Sequence, residues 1–208
     1  MNQATTILRT GRKFDQVLAG AREVFMKDGF EGASVDDIAK AAGVSKATLY
    51  SYFPDKRLLF IEVATTECTL MADRALNLID DARPPREVLV IAAQQIVSFL
   101  LSDFAQQIFR ICLAERDRFP ELGAAFYAAG PEMGRARLSE YLAKAVARNE
   151  LAIEDISMAA EQFSELCKVR LWTRAVFGIQ HSFSDAEISD VVQHAVDTFL
   201  ARFATKTA

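Results

Sequence analysis

Residues 33–60, ASVDDIAKAAGVSKATLYSYFPDKRLLF, fit a capped short helix, a glycine, a second short helix and the start of a third into 28 positions. A helix of two or three turns is marginal in water on its own, so neighbours must hold these in place. Ser34 followed by Asp37 has the form of a capping box, with Asp in place of the usual Glu or Gln. Val35, Ile38, Ala39 and Ala42 then make a buried stripe, and small Ala39 permits close approach of a neighbouring helix. Gly43 sits where the chain must stop and turn with left-handed φ. Ser45 is a ready N-cap for the second helix, and Leu49 and Tyr52 are spaced to pack back on the first. Phe53-Pro54 ends it, and Asp55 caps the next helix.

Cap, glycine, cap and proline in this order are the layout of a helix-turn-helix, whose second helix enters the DNA major groove. The face left outward is Lys46, Ala47, Thr48, Tyr50 and Ser51. Lys46 suits a guanine acceptor, Thr48 a donor or methyl contact, and Ala47 a thymine methyl. Tyr50 and Lys56 suit phosphate oxygens, which set register rather than sequence. The amides opening the helices after Ser34 and Asp55 also suit phosphate. Three short packed helices with a solvated polar face would account for some of these residues, but not for their order. Charge is skewed in the matching direction. Residues 1–60 hold nine Lys/Arg against seven Asp/Glu (+2), leaving 15 against 21 (−6) in residues 61–208, within a net charge of −4. A basic head and an acidic body fit a chain that touches phosphate at one end.

The remainder reads as helical. RKFDQVLAGAREVFMKDG places Phe14, Val17, Leu18, Ala21 and Phe25 on one face and ends at Gly29. Further helices are expected over about 55–79, from Pro84-Pro85 to 101, over 104–118, in a short piece between Pro120 and Pro131, and over 132–149, 155–177 and 185–204. No β alternation, hairpin turn or internal repeat stands out, so the fold class is all-α. No run of about 18 apolar residues predicts a membrane span, and the N-terminus lacks a secretory apolar block. Cys68, Cys112 and Cys167 lie far apart without CxxC spacing and read as reduced thiols of a cytoplasmic protein.

Residues 11–60 resemble the DNA-binding domain of the TetR family of bacterial transcriptional regulators. The resemblance rests on S-V-x-x-I-A-x-A-A-G-V-S, T-L-Y-x-Y-F, the aromatic before a glycine at the end of the first helix, and Lys56 two after the proline. It implies DNA-contact roles for Ser34, Ser45, Lys46, Ala47, Thr48, Tyr50, Tyr52 and Lys56. Two departures are Gly20, where alanine is usual, and Ala47, where glycine is frequent. CLAERDRFPELGAAFYAAGP is similar to the C-terminal domain of the AefR-like subgroup. The resemblance implies a DNA-binding domain over 1–55 and a helical ligand-binding and dimerisation domain over 56–208. It further implies a homodimer on a palindromic double-stranded operator, released by a small-molecule effector, with no cofactor.

One short helix reads only a few base pairs, so useful specificity calls for two heads. In the last helix Ser184 and Glu187 form a second capping box, and Ile188, Val191, Val192, Ala195, Val196, Phe199, Leu200 and Phe203 make a wide stripe. Paired with the preceding helix through Phe163 and Leu166, it supplies a dimer face around Ile188, Val192, Ala195 and Phe199; the alternative is that both helices complete the monomer core. For the effector pocket the candidates are Phe99, Phe104, Phe109, Phe126, Tyr127, Trp172 and Phe177, which suit an apolar or aromatic molecule, although aromatics at helical spacing also build cores. Arg110, Glu115, Arg116 and Arg170 are either polar fixers of that ligand or surface ion pairs.

An enzyme is not expected. His181 and His194 fall in no HExxH, HxH or ExxH setting, which leaves no metal site, and Asp190 with His194 reads as a surface hydrogen bond. GxSxG, Walker and GxGxxG motifs are absent. The remaining rival is a helical scaffold or partner-binding bundle that ignores DNA, which salt-dependent duplex binding separates from a regulator.

Overall fold

Local signals fix where several of the helices begin and end. The computed structural model describes residues 11–76 and 83–205, with the side chains of 72–76 left aside. The elements are α1 (Arg12–Gly32), α2 (Val35–Ala42), α3 (Lys46–Tyr52), α4 (Lys56–Leu76), α5 (Pro85–Leu101), α6 (Asp103–Ala114), α7 (Pro120–Tyr127), a π-helical turn (Ala128–Glu132), α8 (Met133–Ala147), α9 (Ile156–Leu166), α10 (Trp172–Val176) and α11 (Asp185–Phe203). The chain is all-α. Among the described residues the extended pairing is an isolated bridge between Leu151 and Ala204. No single described helix is long and apolar enough to cross a membrane. The end expected for the helix after Asp55, up to residue 79, lies partly outside the described residues.

The described residues pack as two units, one within Met1–Glu67 and Gln107–Phe126, the other within Cys68–Gln106 and Tyr127–Ala208. In the first, α1 buries Phe14, Val17, Ala21, Val24 and Phe25. Gly29 adopts φ 73° and ψ −174°, which interrupts α1 before its last turn. Beyond it, Phe30 meets the rings of Phe25, Phe60 and Phe119 at 6.1, 5.5 and 5.5 Å between centroids. The expected head therefore packs with the start of α4 and with the segment around Phe119. Arg57 reinforces that seam by pairing with both Asp55 and Glu121, the latter at 3.0 Å, and Arg118 pairs with Glu31.

The second unit has its core among α5, α8, α9 and α11, where Val88, Leu89, Leu142, Ala160, Phe163, Val192, Val196 and Phe199 are buried together. Its C-terminus is tied back: Ala152 N donates to Phe203 O at 2.8 Å, Thr205 N to Glu150 O at 3.2 Å, and the Thr205 hydroxyl to Asn149 O at 2.9 Å. One expectation fails here. Residues 155–177 are not one helix, because α9 ends at Leu166 and α10 begins at Trp172. Between them Arg170 takes φ 63°, a left-handed value that a helix interior excludes. The piece between the prolines is longer than expected, running from α7 through the π-helical turn, which contains Pro131, into α8.

Candidate nucleic-acid interface

The surface begins at four caps. Ser34 Oγ accepts from Asp37 N at 3.0 Å and donates to the Asp37 carboxylate, so the box after Ser34 is half formed and closes through the hydroxyl. Gly43 takes φ 65° and ψ 33°, its N–H donating to the Ala39 and Lys40 carbonyls, while Val44 N donates to Ala39 O at 3.0 Å. Ser45 Oγ accepts from Thr48 N at 3.1 Å and lies 2.9 Å from Thr48 Oγ1. Asp55 accepts from Arg57 N at 2.8 Å. The Arg57 hydrogen bond, outweighing a smaller opposing effect of burial, holds the Asp55 carboxyl below its usual pKa.

Between these caps α3 buries Leu49 and leaves Lys46, Ala47, Tyr50 and Ser51 exposed, with Thr48 and Tyr52 half-buried. Tyr50 stands out with 49% of its surface exposed. Lys46 pairs with Asp36 across from α2. Tyr52 turns inward, its ring edge-on to Phe14 at 5.8 Å, beside the Phe14–Phe53 stack. Lys56 also turns away from the surface. Its ammonium donates to Phe30 O at 2.7 Å and Ala33 O at 3.1 Å and lies 4.6 Å from the Phe30 ring centroid. That lysine holds the α1–α2 corner to α4. Residue type alone pointed to phosphate, and no sequence signal exposed a contact made 26 positions away.

Gly20 was also informative. A Cβ on it would fall 2.5 Å from Ala42 N and 2.7 Å from Ala42 Cα, so α1 and α2 touch backbone to backbone there. Ala39 is buried as well, and the close approach of Gly20 is made against Ala42.

The candidate effector residues divide between the two units. Phe109 and Phe126 belong to the first unit and Phe99, Phe104, Tyr127, Trp172 and Phe177 to the second. Phe104 is buried, Phe99, Phe109, Phe126 and Trp172 are half-buried, and Tyr127 and Phe177 are 58% and 75% exposed. Phe99 and Cys68 approach Gly130 in the π-helical turn. Arg110 bonds Gln107, Arg116 lies 3.5 Å from Asp117 and Arg170 lies 3.5 Å from Asp190, all at the surface, whereas Glu115 is buried. Burial raises the Cys112 and Cys167 thiols to about 11 and about 12, which leaves little thiolate for chemistry.

The candidate dimer residues divide. Phe163, Val192, Ala195 and Phe199 are spent inside the core of their own unit, while Leu166 and Ile188 remain partly accessible. The stripe on α11 therefore reports burial within the chain. Sequence reasoning missed the outward face beside it, an open groove of about 570 Å³ between α9 and α11 that includes Met158, Leu166, Val169, Thr198 and Phe203 among its lining residues.

Comparison with known proteins accounts for both units. The signature described as bacterial regulatory proteins, tetR family, matches residues 17–63. That of the AefR-like transcriptional repressor C-terminal domain matches residues 87–205, more than half of the chain. The HTH-type transcriptional repressor AcnR of Corynebacterium efficiens is 36% identical over 58 residues, covering 28% of this chain and 31% of that protein. The HTH-type transcriptional regulator RutR of Escherichia coli K12 is 45% identical over 47 residues, covering 23% and 22%. The match thus spans less than a third of the length of either relative. Structural likeness extends over nearly the whole chain. The flavonoid-responsive regulator FrrA superposes with TM-score 0.76 and 33% identity over 95% of this chain and 100% of that one. A protein of Mesorhizobium loti MAFF303099 described as a TetR-family transcriptional regulator gives 0.86 and 26% over 98% and 100%. With a capped helix-turn-helix within residues 17–63 and the AefR-like helical domain over residues 87–205, this chain belongs to the TetR family of bacterial transcriptional regulators, DNA-binding proteins and not enzymes.

Proposed function

We propose that the chain is a ligand-responsive repressor that binds a palindromic operator as a cytoplasmic homodimer and is released by a small apolar or aromatic effector. The observation that carries this reading is the exposed face of α3, held between formed caps with Lys46, Ala47, Thr48 and Tyr50 outward. We assign Lys46, Ala47 and Thr48 to base edges and Tyr50 to phosphate, with Ser34 and Ser45 presenting the helix starts. Tyr52 and Lys56 support the surface from behind. The heads lie at residues 1–55, and the groove of α9 and α11 is covered by the same groove of a second copy, an isologous contact. The repressors AcnR and the AefR-like group support repression. FrrA, named as flavonoid-responsive, supports an aromatic effector, and Trp172 and Tyr127 are our choice for its neighbours.

Anisotropy of labelled promoter fragments tests the reading. Binding should be tight at low salt and weaken steeply as salt rises. Thr48→Ala should change the ranking of sites, costing about 1–3 kcal/mol at those that use the contact. Absence of salt-dependent binding to any fragment would leave a helical scaffold instead. A Trp172 emission unmoved by a saturating effector would remove that residue from the pocket.

A further inference from the structure

Lys46 is the leading cation of the recognition helix, and its ammonium is paired with the carboxylate of Asp36, in the first turn of α2. Asp36 is not part of the cap: the neighbouring Asp37 serves Ser34. Both members of the pair are more than half exposed, 55% for Lys46 and 66% for Asp36, so the pair sits on the surface offered to DNA. We infer that Asp36 is a positioning residue acting through Lys46, holding that cation in a surface pair that each contact of Lys46 with DNA must break. The inference rests on the DNA-binding reading of α3.

Magnitudes decide which contacts the pair can resist. An exposed ion pair holds its partners by a factor of only about two to five. One lysine–phosphate contact changes affinity by about threefold across moderate salt, which is the same order, so the pair suppresses it. A well-formed contact to a base edge discriminates by about five- to a hundredfold and breaks the pair. A contact stronger than the pair loses the pair's full worth and a weaker one loses only its own, so a site with a guanine at the right step is weakened at least as much as arbitrary sequence. Where Lys46 leaves, the Asp36 carboxylate is left facing the duplex, where phosphates repel it.

The test uses two probes, a random-sequence duplex of about three helical turns and a site enriched from a randomised library by the parent protein. Parent, Asp36→Asn, Lys46→Ala and the double variant are compared, with Asp36→Ala as a second replacement and melting curves to confirm folding. Asp36→Asn should tighten the random duplex by about two- to fivefold and steepen its salt slope by about 0.9. The enriched site should tighten at least as much, so that the ratio between the two probes holds or rises. In the Lys46→Ala background the same substitution should change little. Equal tightening with and without Lys46 would show a general charge effect and overturn the inference, as would no tightening in either Asp36 variant. A parent protein that binds neither probe at low salt would overturn the DNA reading itself, a distinguishable result.

Discussion

At the residue scale, position decides what a side chain does, and three substitutions expose this. Gly20→Ala adds one methyl where α1 meets the backbone of Ala42, with the nearest atom at 2.5 Å. Neither partner is the flexible end of a side chain, so the helices must part, and overpacking of this kind costs about 1–3 kcal/mol. Gly123→Ala in α7 is the control: its Cβ would meet nothing within 4 Å, and relief of a helical glycine should stabilise by about 0.5–1 kcal/mol. Thermal melts of the two variants should therefore move in opposite directions. Lys56→Met carries the second argument. It strands the Phe30 and Ala33 carbonyls that now accept from the ammonium, a loss of about 1.5–3 kcal/mol for bonds to a charged group. Its effect should appear in the melting temperature, with the salt slope of DNA binding unchanged in the folded protein. A normal melt with a slope lowered by about one would return Lys56 to the phosphate role that its residue type suggests.

At the scale of the element, caps dominate, and α11 offers the clearest test. Ser184 Oγ accepts from Glu187 N at 3.3 Å, and the Glu187 carboxylate accepts from Ser184 N at 2.9 Å. That backbone donor first, then the Gln180 amide and the Ser184 hydroxyl, lower the Glu187 pKa below its ordinary value of 4.5. A group whose folded pKa is depressed stabilises fully above the unfolded value and loses that stabilisation as pH falls through the folded one. Acid below about 4.5 should therefore loosen the start of α11, and Glu187→Gln should flatten that part of the pH profile. Ser184→Ala should cost about 0.5–2 kcal/mol at neutral pH. Such caps were legible because both partners lie within four residues, as at Ser34, Ser45 and Gly43. The break between α9 and α10 was not legible. Cys167, Lys168, Val169, Arg170 and Leu171 include no Gly, Pro or Asn, and the left-handed Arg170 is exposed between Cys167 and Leu171, which are buried in a core shared with α5, α8 and α11. Lys56 and Gly20 escaped for a related reason, since their partners are 26 and 22 positions away, the latter counted from 20 to 42.

At the scale of the whole molecule, periodicity on α11 showed that a face is buried but not what buries it. Phe163 and Phe199 meet edge to face at 5.2 Å between centroids within one chain, so they report on the monomer. The surface we propose for a second copy is the groove that includes Met158, Leu166 and Val169, where Val169 is 52% and Met158 50% exposed. Two variants separate core from interface. Phe199→Ala removes a fully buried ring and should cost about 3–5 kcal/mol, unfolding the unit at any protein concentration. Val169→Asp places a charge on an accessible site, which the monomer tolerates and an isologous contact meets twice, once from each copy. Light scattering should then report half the parent mass with an unchanged helical spectrum. Since a single head reads only a few base pairs, that monomer should also bind operator far more weakly, with roughly half the parent's salt slope because half the phosphate contacts remain. A Val169→Asp protein that keeps the parent mass would move the dimer contact off this groove, and a parent that is itself monomeric would remove the paired heads on which palindromic recognition depends.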